Sequence, residues 1–236
     1  RAVFWFSLAA GGVIAAGAYL VIFETRPRPV TGAIRNGVAR DFIDLFSNMR
    51  FTCFVLQTGF NTGAFFVAAS AASFLMKETL QRPAAEFGFW FVLFPLGFFA
   101  GNFVASRVGT RASNETMVLT GAVLALLAVS MQSTLLLTGF ITPLAIFAPG
   151  FLITFAQGVS LPYGQSGAMA TIPRIAGTAA GIGVFVQNIV GALFAQFFGL
   201  IADGTVWPIV IATMLSSVLG LLVSIPPALA RAGRAR

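Results

Sequence analysis

Gln57 and Asn61 stand four residues apart within 51–76, a stretch that contains no Lys, Arg, Asp or Glu. On a helix that spacing places both amides on one face, which Phe65 and Ala68 continue. Gln157, Gln187, Asn188 and Gln196 occupy similar uncharged stretches. An amide in such a helix must bond a neighbouring helix or line a wet cavity. Both uses stay open here. The amides can be interhelical glue, or they can line a cavity for a polar or cationic organic molecule. In the second case Phe54, Phe60, Phe65, Phe66, Phe147, Phe151 and Phe155 offer aromatic walls. Acid–base chemistry is poorly supplied. The chain has no histidine, which removes histidine-ligated metals and Ser–His dyads, so no metal site and no cofactor are expected. Gly164-Gln165-Ser166-Gly167 has the GxSG form of an intramembrane serine protease. Its serine has no histidine base, and the four residues fall where a loop is expected. Cys53, the single cysteine, is read as packing. The chain is expected not to be an enzyme.

The elements that must position these residues follow from where charge is absent. Seven stretches carry none: roughly 2–23, 51–76, 87–106, 116–137, 138–162, 178–202 and 204–227. About 20 apolar residues of helix cross a hydrocarbon core about 30 Å thick. A charge at the centre of such a helix costs at least ~2.5–3.5 kcal/mol. A soluble core helix has no reason to exclude charge from its outer face. Hydrophobic residues make up 58% and charged residues 9% of the chain, against a globular norm of about 25% charged. The expected fold is an all-α, polytopic bundle of seven spans in the lipid bilayer. The first stretch is too long for a signal-peptide core and is read as a span of a longer protein.

The net charge of +7 does not point to nucleic acid, because the basic residues sit beside the spans. The gaps alternate between the two sides of the membrane. One side holds Arg26, Arg28, Arg35, Arg40, Arg50, Arg107, Arg111, Arg174, Arg231, Arg234 and Arg236. The other holds Arg1, Lys77 and Arg82. The positive-inside rule puts the first side in the cytoplasm, and with it the C-terminus. Residues 1–23 are read as one span, and 24–48 as a cytoplasmic loop whose second half, Ile34 to Phe46, forms an amphipathic helix on the inner membrane face. Residues 49–228 are read as a six-helix bundle and 229–236 as a cytoplasmic tail.

Small residues recur at helix-contact spacing in Gly59…Gly63, Gly97…Gly101, Gly177…Gly181 and Gly191…Ala195…Gly199. Pro95, Pro143, Pro149 and Pro162 interrupt spans, and each frees a backbone carbonyl. Pro149-Gly150 is a candidate hinge, with a static kink as the equal alternative. No Asp, Glu, Lys or His lies deep in any stretch, Glu86 and Asp203 being at outer ends. A proton- or sodium-coupled pump usually carries an embedded carboxylate, so a coupling residue is expected outside this chain.

One span, a long basic loop and six further spans resemble the second part of a twelve-span major facilitator transporter. Gly101-Asn102…Arg107-Val108-Gly109-Thr110-Arg111 resembles the RxGxR core of that superfamily's cytoplasmic loop motif, with Ser106 where an acidic residue is usual. Finer features resemble Bcr/CflA-type drug-resistance exporters. These are Arg1-Ala2-Val3-Phe4-Trp5-Phe6 with Phe23-Glu24-Thr25, Arg50-Phe51 leading into Gln57–Ser70, Ala176-Gly177-Thr178-Ala179-Ala180 with Gln187 and Gly191-Ala192-Leu193, and Asp203-Gly204-Thr205…Pro208. The resemblance implies a bacterial inner-membrane exporter of small organic compounds, driven by proton exchange, whose two six-helix bundles rock around a central site. The N-terminal half would be this chain's partner and would hold the proton-coupling acids. The cavity residues expected are Gln57, Asn61, Phe65, Phe151, Gln157 and Gln187. Arg107, Gly109 and Arg111 would hold the cytoplasmic gate. The alternatives are a nutrient importer on the same fold and a seven-helix receptor. A retinal receptor would need a lysine in its last span, and 204–227 has none.

Overall fold

A computed structural model describes residues 2–21 and 38–234. Phe23-Glu24-Thr25, Arg26, Arg28, Arg35, residues 34–37 of the expected amphipathic helix, Arg1 and Arg236 lie outside the described residues. Among those described, seven helical segments are long and apolar enough to cross a membrane, and the chain is a multi-pass membrane protein. Two compact units divide it, one of residues 1–36 and one of residues 37–236. The first consists of helix α1, Ala2–Val21, a charge-free helix of 20 residues.

The second unit runs α2 (Val38–Phe46), α3 (Met49–Phe74), α4 (Ala84–Phe91), α5 (Leu93–Val108), α6 (Asn114–Leu137), α7 (Pro143–Thr171), α8 (Ala176–Ile201) and α9 (Trp207–Arg234). A π turn, Leu75–Thr79, extends α3. Local chemistry starts these helices. Asn48 Oδ1 accepts from the backbone N–H of Arg50 and Phe51 at the head of α3. Ser113 Oγ accepts from Thr116 N–H ahead of α6. Thr142 Oγ1 accepts from Ala145 N–H ahead of α7, whose first residue is Pro143. Each bond satisfies an amide that the helix itself leaves unpaired, and a proline at the first helical position has no donor to lose.

The structure adds detail to three of these stretches. The span read as 87–106 is one membrane-crossing segment, 84–111, in which α4 and α5 meet at Val92. Pro95 lacks the N–H that would bond Phe91 O, so it sits in the first turn of α5, where no donor is needed. The span read as 138–162 starts later, at Pro143, and continues to Thr171. Gly164-Gln165-Ser166-Gly167 is therefore helical and not a loop. Pro162 interrupts one hydrogen bond without ending the helix, as spans that pack on neighbours allow. The segment 229–236 begins as helix, since α9 runs through Pro226 and Pro227 to Arg234.

α7 is the centre of the bundle. It touches α3, α5 and α6 along most of its length, and α9 closes the bundle against α3 and α6. Lipid removes the hydrophobic force between spans, so close packing of small residues must hold them. Gly97 and Gly101 of α5 lie against the backbone of α7 at Phe151, Phe155 and Gly158. Gly59 faces Val190 of α8, Gly63 faces Phe194 and Ser216, and Gly191 faces Thr62 and Phe66. Gly177, Gly181 and Gly199 of α8 have no atom within 4 Å of where a Cβ would stand, so that expected pattern is not used within the described residues. Gly164 and Gly167, the glycines of the GxSG sequence, seat α7 on Thr58 and Phe54 of α3. That sequence is a packing surface.

At the end of the bundle that carries Arg50, Arg107, Arg111 and Arg174, α2 docks on α3 and α8. Leu45 is fully buried beside Phe51, Val55 and Ala179, Phe46 meets Phe51 edge-on at 5.6 Å, and Asp44 accepts from Arg174 at 2.9 Å. At the opposite end the turn at 202–206 is held by Asp203, whose carboxylate accepts from the hydroxyl and backbone N–H of Thr205. The same two bonds hold that carboxyl below the usual aspartate range.

Candidate functional site

A cavity of about 400 Å³ opens among α3, α5, α7 and α8. α3 contributes Thr62, Phe65 and Phe66, and α7 contributes Thr154, Gln157 and Leu161. Phe94, Pro95 and Phe98 come from α5, with Phe91 at the end of α4, and Gln187 and Asn188 come from α8. The rings brace one another. Phe65 and Phe94 meet edge-on at 5.9 Å, and Phe91 meets Phe94 the same way at 5.0 Å. Such contacts add about 0.5–1.5 kcal/mol per pair beyond burial and fix the wall. Gly150 makes room for Phe94, because a Cβ there would overlap the ring.

The polar groups are anchored from behind. Gln157 Nε2 donates to Thr62 Oγ1 at 3.0 Å, and Thr62 Oγ1 donates to Thr58 O at 2.9 Å. Thr154 Oγ1 donates to the carbonyls of Gly150 and Phe151. Asn188 Nδ2 donates to Val184 O at 2.9 Å. Gln187 Oε1 is buried and has no hydrogen-bond partner among the described residues. Among the described residues, no Asp, Glu, Lys or Arg lines the cavity. It is built to hold an apolar body and to present a few amide and hydroxyl groups to it.

Of the expected cavity residues, Phe65, Gln157 and Gln187 come together in this wall. Gln57, Asn61 and Phe151 do not line it. Asn61 is buried and donates from Nδ2 to Ser160 Oγ of α7 at 2.9 Å. Gln57, one turn away, is fully buried, and neither atom of its amide has a partner among the described residues. Their face of α3 continues into Ala64 and Ala68, which pack on Ala128, Val129 and Ile153. It points at the bundle interior, about a third of a turn from Thr62, Phe65 and Phe66. Phe151 instead offers its backbone carbonyl to the α5–α7 contact. Pro149 and Gly150 lie within a continuous α7.

The removal of an orphaned buried amide should stabilise the protein. Gln57→Leu should raise the unfolding midpoint by the equivalent of about 1–3 kcal/mol, read by thermal unfolding in lipid nanodiscs. A lowered midpoint would mean that the amide is paired.

A second cleft, of about 800 Å³, lies at the arginine-bearing end. Asn102, Gly109, Ser113, Glu115, Tyr163 and Ser166 line it. Gly109 ends α5 with φ 53°, a left-handed conformation that favours glycine. Its carbonyl and that of Ala105 face the Tyr163 hydroxyl at 2.8 and 3.0 Å, so the expected gate turn is tied to α7. Arg107 lies over the Phe103 ring at 4.6 Å, and Arg111 is exposed. Sequence reasoning missed Glu115. It is 4% exposed and pairs with Arg50 of α3, whose own side chain is half exposed. The available signal was a lone acidic residue two positions after the cap at Ser113. Thr62, Thr154 and Asn188 were also missed as members of one wall, since a single threonine or asparagine in a span carries no such signal.

The chain is similar to two curated bacterial proteins. It is 27% identical over 179 residues to Multidrug resistance protein D of Escherichia coli (strain K12), a match that covers 75% of this chain and 44% of that protein. It is 26% identical over 213 residues to a Bicyclomycin resistance protein homolog of Haemophilus influenzae, covering 88% of this chain and 52% of that protein. The chain spans about half the length of the curated relatives it matches. No family model matches it. Both similarities agree with the resemblance to Bcr/CflA-type drug-resistance exporters read from the residues.

Proposed function

We propose that this chain is the C-terminal part of a secondary active transporter that exports drugs or other small organic compounds across a bacterial inner membrane. The observation that carries the reading is the uncharged aromatic cavity among α3, α5, α7 and α8, inside a membrane bundle. Similarity to two drug-resistance proteins supports it. The arginine-bearing end and the C-terminus face the cytoplasm, a reading that the distribution of basic residues supports. An N-terminal bundle supplies the other half of the cavity and the acidic groups that couple transport to protons. The two halves rock about the cavity, and α7 bends at Pro149-Gly150 where Phe94 fills the gap left by the glycine. Arg107, Gly109 and Arg111 hold the cytoplasmic gate, with the arginines meeting helix ends or lipid phosphates.

Phe65, Gln157 and Gln187 contact the substrate. Asn61 acts one layer behind them, by setting α3 against α7 through its bond to Ser160. Everted membrane vesicles with an imposed pH gradient test direction and coupling together. Proton-driven accumulation inside the vesicles is expected for an exporter, and loss of a preloaded solute would mean an importer. Gln157→Ala should lower transport about tenfold through lost positioning of the substrate and of Thr62. If Gln57→Ala combined with Asn61→Ala leaves transport of every tested compound unchanged, those two residues have no part in the site.

A further inference from the structure

The cleft of about 800 Å³ lies between the end of α5 and the start of α6, with α7 as its floor. Pro162 and Ser166 of α7 line it, four residues apart, and both are exposed. At 3.6 residues per turn they stand roughly opposite Ser160, Gly164 and Gly167, which meet α3. The cleft therefore opens away from α3, on the outer side of the bundle. One membrane-crossing segment ends here at Arg111 and the next begins at Asn114, so its depth is that of the lipid headgroups.

Its chemistry is unlike that of a surface for acyl chains. Thr110, Asn114 and Ser166 line it, and their side chains make no hydrogen bond among the described residues. Phe99 and Phe103 of α5 are exposed, and Arg107 follows at the same spacing of four. A stripe that starts in hydrocarbon thus ends in a guanidinium, laid over the Phe103 ring. Arg111 is exposed and stands between Thr110 and Ala112, two residues of the lining. The ion pairs among the described residues leave both arginines without a carboxylate. Glu115 also lines the cleft, but Arg50 answers its charge from α3. Two unpaired cations beside three free polar side chains at headgroup depth complement a phosphate that carries hydroxyls.

We propose that this cleft binds the headgroup of an anionic phospholipid, phosphatidylglycerol, with Arg107 and Arg111 on the phosphate and Thr110, Asn114 and Ser166 on its oxygens and the glycerol hydroxyls. The acyl chains lie along the Phe99–Phe103 face of α5. The bound lipid bridges α5, α6 and α7 at the turn that carries Gly109. The assignment needs only a bundle in a bilayer, and it stands apart from what the central cavity carries.

Native mass spectrometry of the intact protein, titrated in micelles with phosphatidylglycerol or phosphatidylcholine, tests it. The parent should bind one phosphatidylglycerol at least about fivefold more tightly than phosphatidylcholine. Arg107→Gln combined with Arg111→Gln should weaken phosphatidylglycerol roughly tenfold. Lys77→Gln, an exposed cation at the opposite end, should change it less than about twofold. Thr110→Ala combined with Ser166→Ala keeps every charge and should still weaken binding about fivefold. Unfolding midpoints of all variants in phosphatidylcholine nanodiscs should match the parent's, which separates lost binding from lost folding. Equal affinity for the two lipids, or equal losses in the Lys77 and arginine variants, would overturn the site. An unchanged affinity in the Thr110 and Ser166 variant would reduce it to diffuse attraction. Displacement of the lipid by soluble glycerophosphoglycerol at equal concentration would make it a site for a free anion and overturn the lipid assignment.

Discussion

Gly101→Leu should stop the bundle from assembling. Where a Cβ would stand on Gly101, the α7 backbone is already present. Gly158 Cα lies 3.0 Å away, and the carbonyl oxygen of Phe155 is nearer still. The obstacle is main chain, so no rotamer change can relieve it, and α5 must move away from α7 along the contact shared by Gly97, Gly101 and Gly158. Overpacking of cores costs about 1–3 kcal/mol where side chains can yield. At a backbone contact the cost should reach or pass the upper end even for Gly101→Ala, and leucine adds three further carbons to place. Van der Waals packing is the main attraction between spans in lipid, so little else can compensate. The matched control is Gly183→Ala on α8, where a Cβ would meet only Val55 at an ordinary 3.6 Å. There the ordinary helical preference for alanine should stabilise by about 0.5–1 kcal/mol. Thermal unfolding in nanodiscs reads both. Equal behaviour of the two alanine variants would show that α5 and α7 are further apart than described here.

Arg50→Ala should cost about 2–3 kcal/mol, because it strands a carboxylate. Glu115 is 4% exposed, and Arg50 is its ion-pair partner. Breaking a fully buried pair costs about 3–5 kcal/mol, whereas an exposed pair contributes about 0–1 kcal/mol. Half exposure of Arg50 places this pair between the two. The position of Glu115 in the first turn of α6 softens the loss, since the positive end of the helix dipole remains. Arg50→Ala combined with Glu115→Gln should be less destabilised than the sum of the single variants by about 1–2 kcal/mol. Strict additivity would remove the pair from the stability of the bundle. The pair joins the first turn of α6 to the first turn of α3, so the arginine-bearing end should also become more open to proteases in Arg50→Ala.

The membrane character of the chain and the rough extent of its spans were legible because the partition between water and hydrocarbon is strong and local. Each charge excluded from 51–76 or 116–137 is an independent vote of a few kcal/mol. The caps at Asn48, Ser113 and Thr142, which the structure shows, are local in the same way, since each acts on the next few residues. Where a rule had to compare local breakers with distant packing, it failed. Gly164-Gln165-Ser166-Gly167 read as a loop, yet α3 offers Phe54 and Thr58 to the glycine face and the helix continues. Pro95 read as a bend within one span, and within that segment α5 begins two residues before it, at Leu93.

The candidate site divides along the same line. From the sequence alone follow a seven-span all-α membrane protein, the side preference of its arginines, the short supply of acid–base groups and a set of buried amides. Only the tertiary structure decided which amides share a wall. Gln157 and Gln187 are far apart in the chain and meet in one cavity, while Gln57 and Asn61, neighbours on one face, turn to the interior. The physical reason is that in lipid every face of a helix can be apolar, so hydropathy fixes depth and leaves rotation free. Rotation is set by where glycines let backbones touch, at Gly97, Gly101 and Gly158, and those contacts are properties of pairs of helices.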